Sequence, residues 1–312
     1  MDVFNQLTLD LGMPFTSTEL VFGVLACILA IWLGARLAKK QAHAFSGQAH
    51  DSGLPAVTFA DYGDMRFLHL GTPAVQGSMK LSKPFDIHLD YLQRMMGWLL
   101  FVDLDQVSHL YAMQMGLGAA SLTKFCHHHL DMRTTAIELN PNVVTTCRRW
   151  FNLPKDNAKL QVLLGDAAEV ASQDTWRGKV DVLQVDLYDQ EAARPMVDSD
   201  VFYANCRALL TPNGCMVVNL FGHDSNFEES VQKIAKSFGT NALWAFKPTT
   251  AGNTVVLAFG TPRTVSTDAL LIQAQKIQTR WPLPAVGRTD SECESADRMM
   301  QNRSLTNHQP TR

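Results

Sequence analysis

Leu110-Tyr111-Ala112-Met113-Gln114-Met115-Gly116-Leu117-Gly118-Ala119-Ala120-Ser121 decides the fold of this chain. Residues 110–115 are a mostly apolar run of strand length, residues 121–129 read as a helix, and the glycines mark the junction. Small residues there let the backbone turn sharply and aim the amides of the helix start at a ligand. Working outward, strands over 134–138, 160–164, 180–186, 215–220, 243–246 and 254–259 alternate with helices over 141–151, 199–210 and 227–238. That alternation predicts an α/β fold with a mostly parallel sheet covered on both faces. The last two strands flank Pro248-Thr249-Thr250-Ala251-Gly252-Asn253 and are expected to close the sheet as an antiparallel hairpin. Such an ending is typical of methyltransferase-like sheets rather than of dehydrogenases.

The 312 residues are 46% apolar and 18% charged, which predicts a sizeable core and excludes a mainly disordered chain. A net charge of −3 gives no broad attraction to nucleic acid, and no nucleic-acid partner is expected. The cysteines are scattered without a Cys-x-x-Cys pair, as small buried hydrophobes of a reducing compartment would be. His127-His128-His129 project in different directions from a helix and read as a solvated helix end, so no metal ligands are assigned.

Residues 1–50 hold an uncharged run over 20–35, followed by Arg36, Lys39 and Lys40. As a helix the run covers roughly 24 Å of a ~30 Å hydrocarbon core, and snorkelling by Arg36 extends it through Ala38. Basic residues after the run exclude a cleaved signal peptide and predict a transmembrane helix over 20–38. The chain is then expected to be a single-pass protein of the inner (cytoplasmic) membrane with the rest in the cytoplasm. The alternative is a soluble cytoplasmic chain in which the run packs as a buried helix. Residues 51–100 read as a small β-rich lid, with strands around a Gly63-Asp64 turn and a helical stretch over 89–100. Residues 101–263 form the ligand-binding α/β domain. Residues 264–312 supply a helix over 267–278 and a disordered polar tail from 287.

Three features meet where strands end. Beyond the glycine turn, Glu138 lies 20 residues after Gly118, where a carboxylate can accept two ribose hydroxyls. Gly165-Asp166-Ala167 closes the third strand, placing a second carboxylate where an adenine amino group could bind. Either acid alone reads equally as a helix cap, but together they point to a nucleoside. The strand from Asp181 delivers Asp186, with Asp189 three residues on. Acids there can hold an ammonium and take its proton, although Asp189 also fits as a turn residue.

From residue 61 to residue 260 the order of motifs resembles the spermidine synthase (polyamine aminopropyltransferase) family, in its divergent bacterial synthase-like branch. The pieces that carry the resemblance are Gln76 after the Gly71-Thr72 turn, Gly116-Leu117-Gly118, Glu138, Gly165-Asp166-Ala167 and Asp186-Leu187-Tyr188-Asp189. Val201-Phe202-Tyr203 and a turn at Leu210-Thr211-Pro212-Asn213-Gly214 add to it. The resemblance implies a class I S-adenosylmethionine methyltransferase-like (Rossmann-like) fold and an amine substrate. It also implies decarboxylated S-adenosylmethionine as co-substrate, with no permanently bound cofactor, and a homodimer. Glu138 would hold the ribose, Asp166 and Ala167 the adenine, Gln76 the sulfonium side, Asp186 the attacking amine, and Asp189 would be a second acid beside it. Two positions depart from the family pattern. Ala119 stands where synthases carry an aspartate against the donor's amine, and Asp90-Tyr91-Leu92-Gln93-Arg94 retains only the tyrosine of a Tyr-His-Glu segment. S-adenosylmethionine-dependent methyl transfer and a non-catalytic, membrane-tethered nucleoside-binding module remain the alternatives.

Overall fold

A computed structural model of the chain describes residues 53–188, 197–221, 225–288 and 293–295. The segment expected to span a membrane over 20–38, the expected catalytic Asp189, and the tail beyond 295 lie outside the described residues. Among the described residues no helix is long and apolar enough to cross a membrane.

Strands β1 (Val57–Tyr62), β2 (Met65–Leu70) and β3 (Gly77–Lys80) form a small antiparallel sheet. Tyr62 pairs with Met65 across the expected Gly63-Asp64 turn, where Gly63 takes a left-handed φ of 56°. The third strand was not legible, because Gly77-Ser78-Met79-Lys80 carries no apolar alternation.

The main sheet has the order β11-β9-β10-β8-β7-β4-β5-β6. Its parallel strands are β4 (Tyr111–Met115), β5 (Arg133–Glu138), β6 (Leu160–Leu164), β7 (Val180–Val185) and β8 (Leu210–Phe221). Strand β10 (Asn253–Phe259) runs antiparallel to both β8 and β9 (Leu243–Phe246), so the expected hairpin is present, with its second strand inserted next to β8.

Three expectations are corrected here. The turn over 210–214 belongs to β8, whose pairing with β7 shifts register between Val180 and Val182. The polar tail from 287 is not wholly irregular. Cys293–Ser295 adds a short strand β11 to the edge strand β9, whose free backbone groups take a partner regardless of side-chain polarity. The single helix over 89–100 is instead α1 (Asp90–Arg94) followed by a 3-10 helix at Gly97–Phe101. A Cβ at Gly97 would sit 2.5 Å from the Phe246 ring, and the chain steps aside at Met95-Met96 to make that approach.

Helices α2 (Ser121–His128), α3 (Pro141–Trp150), α4 (Ala167–Ala171), α5 (Asp200–Leu209), α6 (Ser225–Phe238) and α7 (Thr267–Arg280) fall near their expected places. Asn140, Ser199 and Ser266 cap α3, α5 and α7 with side-chain oxygens, which explains where those helices begin. One face of the sheet packs on α5 and α6 through Phe202, Cys206, Val231 and Ile234. The other packs on α2, α7 and the 3-10 helix through Phe125, Cys126, Leu270 and Trp98. Cys126, Cys147, Cys206 and Cys215 are buried free thiols as expected, and burial pushes those of Cys126 and Cys147 up to about 12. The histidine end of α2 is partly solvent-exposed as expected, with His128 exposed, and it also makes contacts: His129 Nε2 meets Asp86 Oδ1 at 3.0 Å and His128 stacks on Phe85.

Candidate functional site

The parallel strands end along one edge, and backbone bonds hold the segments after them in step. Gly116 N donates to Ile137 O at 3.0 Å, Asp186 N to Met115 O at 2.9 Å, and Gly165 N to Glu138 O at 3.0 Å. This edge opens into a cavity of about 880 Å³. Gln76, Gly116, Gly118, Glu138, Asp166, Ala167 and Asp186 all line it, so the structure brings together the described residues that the sequence assigned to the site.

The glycine at 116 is obligatory. Its φ is 90°, and a Cβ would lie 2.2 Å from the Asp186 carbonyl oxygen. Beside it, Glu138 is fixed by the backbone: Leu117 N donates to Oε2 at 3.0 Å and Asn140 N to Oε1 at 2.8 Å. Burial pushes its carboxyl above the usual range, and these amides oppose that rise without cancelling it. Asp166 caps α4, with Oδ1 accepting from Ala168 N at 2.7 Å and Glu169 N at 3.1 Å. The carboxylate is thus both a helix cap and part of the cavity wall.

Ala119 is buried against Gly77, and its methyl group does not line the cavity. The turn residues that reach the cavity are Gly116, Leu117 and Gly118.

At the other end, Asp186 is held by side chains. Tyr91 Oη donates to Oδ2 at 3.1 Å and Asn219 Nδ2 to Oδ1 at 3.0 Å. Asn253 Nδ2 in turn donates to Asn219 Oδ1 at 3.2 Å, and Tyr188 Oη to Asn219 O at 2.8 Å. Desolvation raises the Asp186 carboxyl, with the bonds from Asn219 and Tyr91 pulling it back. Desolvation, then the Asp186 charge, raises the Tyr91 phenol well above its ordinary value, so it stays protonated and donates. A carboxylate on the cavity wall with both oxygens anchored can orient a cationic amine and accept its proton.

Sequence reading missed Asn219 and Asn253, and it noted Tyr91 and Tyr188 without assigning them roles. An amide near the end of the apolar stretch Val217-Val218-Asn219-Leu220 was the available signal for Asn219. Nothing local marks Asn253.

No family model matches the chain. A polyamine aminopropyltransferase of Neisseria meningitidis is 33% identical over 235 residues, covering 74% of this chain and 87% of the relative. This chain belongs to the polyamine aminopropyltransferase family. The enzyme class expected from the motifs, transfer of an alkyl group other than methyl, is thereby borne out. Among solved structures, a probable spermidine synthase from Corynebacterium glutamicum shares the fold with a TM-score of 0.65 at 18% identity, covering 87% of this aminopropyltransferase-family chain and 95% of that one. Human methyltransferase-like protein 13, solved with S-adenosylhomocysteine, has a TM-score of 0.54 at 21% identity over 62% of this chain and 92% of its own. The methyltransferase-like fold expected for this family member is the one found.

Proposed function

We propose that this family member transfers the aminopropyl group of decarboxylated S-adenosylmethionine to an amine, as a step of polyamine biosynthesis. The observation that carries the proposal is the desolvated Asp186 carboxylate, anchored through both oxygens, in one cavity with Glu138 and the glycine turn. In this reading Glu138 takes the ribose hydroxyls, Asp166 and the start of α4 at Ala167 the adenine, and Gln76 the sulfonium side. Gly116 and Gly118 let the backbone approach the donor, and Asp189 serves as a second acid beside the amine. Residues 101–263 then bind the donor under a cover formed by residues 51–100.

The amine nitrogen attacks the methylene carbon beside the sulfonium in line. The nitrogen–carbon bond forms as the carbon–sulfur bond breaks, and sulfur keeps the electron pair in methylthioadenosine. Asp186 binds the amine and takes its proton. Sulfur leaves neutral, so no general acid is needed, and most of the rate gain comes from holding the reactants in line.

Product mass spectrometry after incubation with each donor and a panel of amines tests this. Aminopropylated amine with methylthioadenosine is the expected result. Methylated product with S-adenosylhomocysteine, or no product while nucleoside still binds, would overturn it. Anchoring through residues 20–38 and homodimer formation belong to the same proposal. The full chain should sediment with membranes, a chain lacking residues 1–50 should not, and light scattering should give twice the chain mass.

A further inference from the structure

Two glutamines lie in the middle of the sheet, where an apolar core would carry none. Gln114 on β4 and Gln184 on β7 are essentially without solvent exposure. Gln114 Nε2 donates to Gln184 Oε1 at 2.9 Å, and Gln114 Oε1 has no partner. An imperfectly satisfied buried pair costs stability, which raises the question of what Gln184 does there.

Its other end gives the answer. Gln184 Nε2 donates to Met95 O at 3.2 Å, the carbonyl at which α1 stops. Met95 N donates back to Tyr91 O at 2.8 Å, one helical turn earlier, and Tyr91 Oη reaches Asp186 Oδ2 at 3.1 Å. Side chains two apart on a strand share a face, so Gln184 and Asp186 project from β7 toward the same helix. The bonds close a ring: Gln184, Met95, Tyr91, Asp186, and back along β7. Four residues thus link a short helix to the reacting edge of the sheet.

We propose that Gln184 is a positioning residue, tying the helix that carries Tyr91 to the strand that carries Asp186 and so fixing the phenol on the carboxylate. The inference rests on the aminopropyl-transfer reading for its kinetic consequence, while the ring itself is testable without turnover. The titratable groups around the ring are Asp186, Tyr91, Tyr188 and the Cys126 thiol, which donates to Gln184 Oε1 at 3.6 Å.

The test compares Gln184→Met, which nearly conserves volume in an apolar setting, with Tyr91→Phe, the double variant, and Val182→Ala on the same strand and face. Gln184→Met and Tyr91→Phe should each lower kcat about tenfold and raise the acid limb of kcat/KM by about one pH unit, the amount one hydrogen bond to a carboxylate is worth. The double variant should shift no further than either single one, because both break the same ring. Val182→Ala should lower Tm with the limb unmoved. Amide exchange across residues 90–96 should quicken in Gln184→Met and stay unchanged in Val182→Ala. An unmoved limb in Gln184→Met, additive shifts in the double variant, or unaltered exchange would overturn the proposal. Should Gln184→Met fail to fold, an unmoved limb in Tyr91→Phe overturns it equally. A wild-type chain that makes no product counts against the function reading, and the exchange measurement still decides the ring.

Discussion

Glu138 and Asp186 are both desolvated carboxylates on one sheet edge, and they are held in opposite ways. Backbone amides from Leu117 and Asn140, the latter two residues away, grip Glu138. The grip on Asp186 comes from the side chains of Tyr91 and Asn219, 95 and 33 residues distant in sequence. The first end of the cavity is therefore set by backbone geometry where the neighbouring strands β4 and β5 end. The second exists only once α1, β7 and β8 have assembled. A nucleoside end built from backbone tolerates changes of side chain nearby, whereas an amine end built from side chains can be retuned by single substitutions.

The contrast breaks most visibly at Asp186. Asp186→Asn should reduce turnover by about a thousandfold, while calorimetry finds methylthioadenosine binding nearly intact. Glu138→Gln should do the converse. It should weaken methylthioadenosine about ten- to a hundredfold, the worth of hydrogen bonds to a charged group, with a smaller effect on kcat at saturating donor. Asn219→Ala sharpens the comparison, since it removes one of the bonds that lower the raised Asp186 carboxyl. The acid limb of the pH–rate profile should move up by about one unit with donor affinity unchanged.

The smallest effect concerns the helix that starts at the glycine turn. Lys124 on α2 is buried, donates to Phe151 O at 2.7 Å, and is lowered by burial from 10.5 to about 8. Between those values an unfolded Lys124 is protonated and the native one is not, so this residue's own contribution to stability rises with pH from about 8 to about 10.5. Lys124→Met should flatten that slope in denaturant titrations and leave the transfer reaction unaltered.

The same contrast explains what the sequence made legible. Strands β4 to β7, the glycine turn, Glu138 and Asp166 were readable because periodicity, small residues and capping acids are local signals. The break of the expected helix over 89–100 was not, and the close packing of Gly97 on the Phe246 ring, more than a hundred residues away, leaves no local sign either. Asn219 and Tyr91 acquire their roles only by meeting Asp186. The packing of Ala119 was not legible for a related reason: spacing locates a residue on the turn, whereas its burial depends on β3 behind it.

That neighbour has a consequence of its own. A methyl group on Gly77 would stand 2.7 Å from the Cβ of Ala119, and Ser121 Oγ donates to Ser78 O at 3.0 Å. The small sheet is therefore pressed onto the turn as a wall, and the exposed Val75 and Leu139 are among the residues that line the cavity. Position 77 is thus a point of contact that admits no side chain unless β3 or the turn at Ala119 shifts, so a substitution there would be felt at the ligand-facing turn.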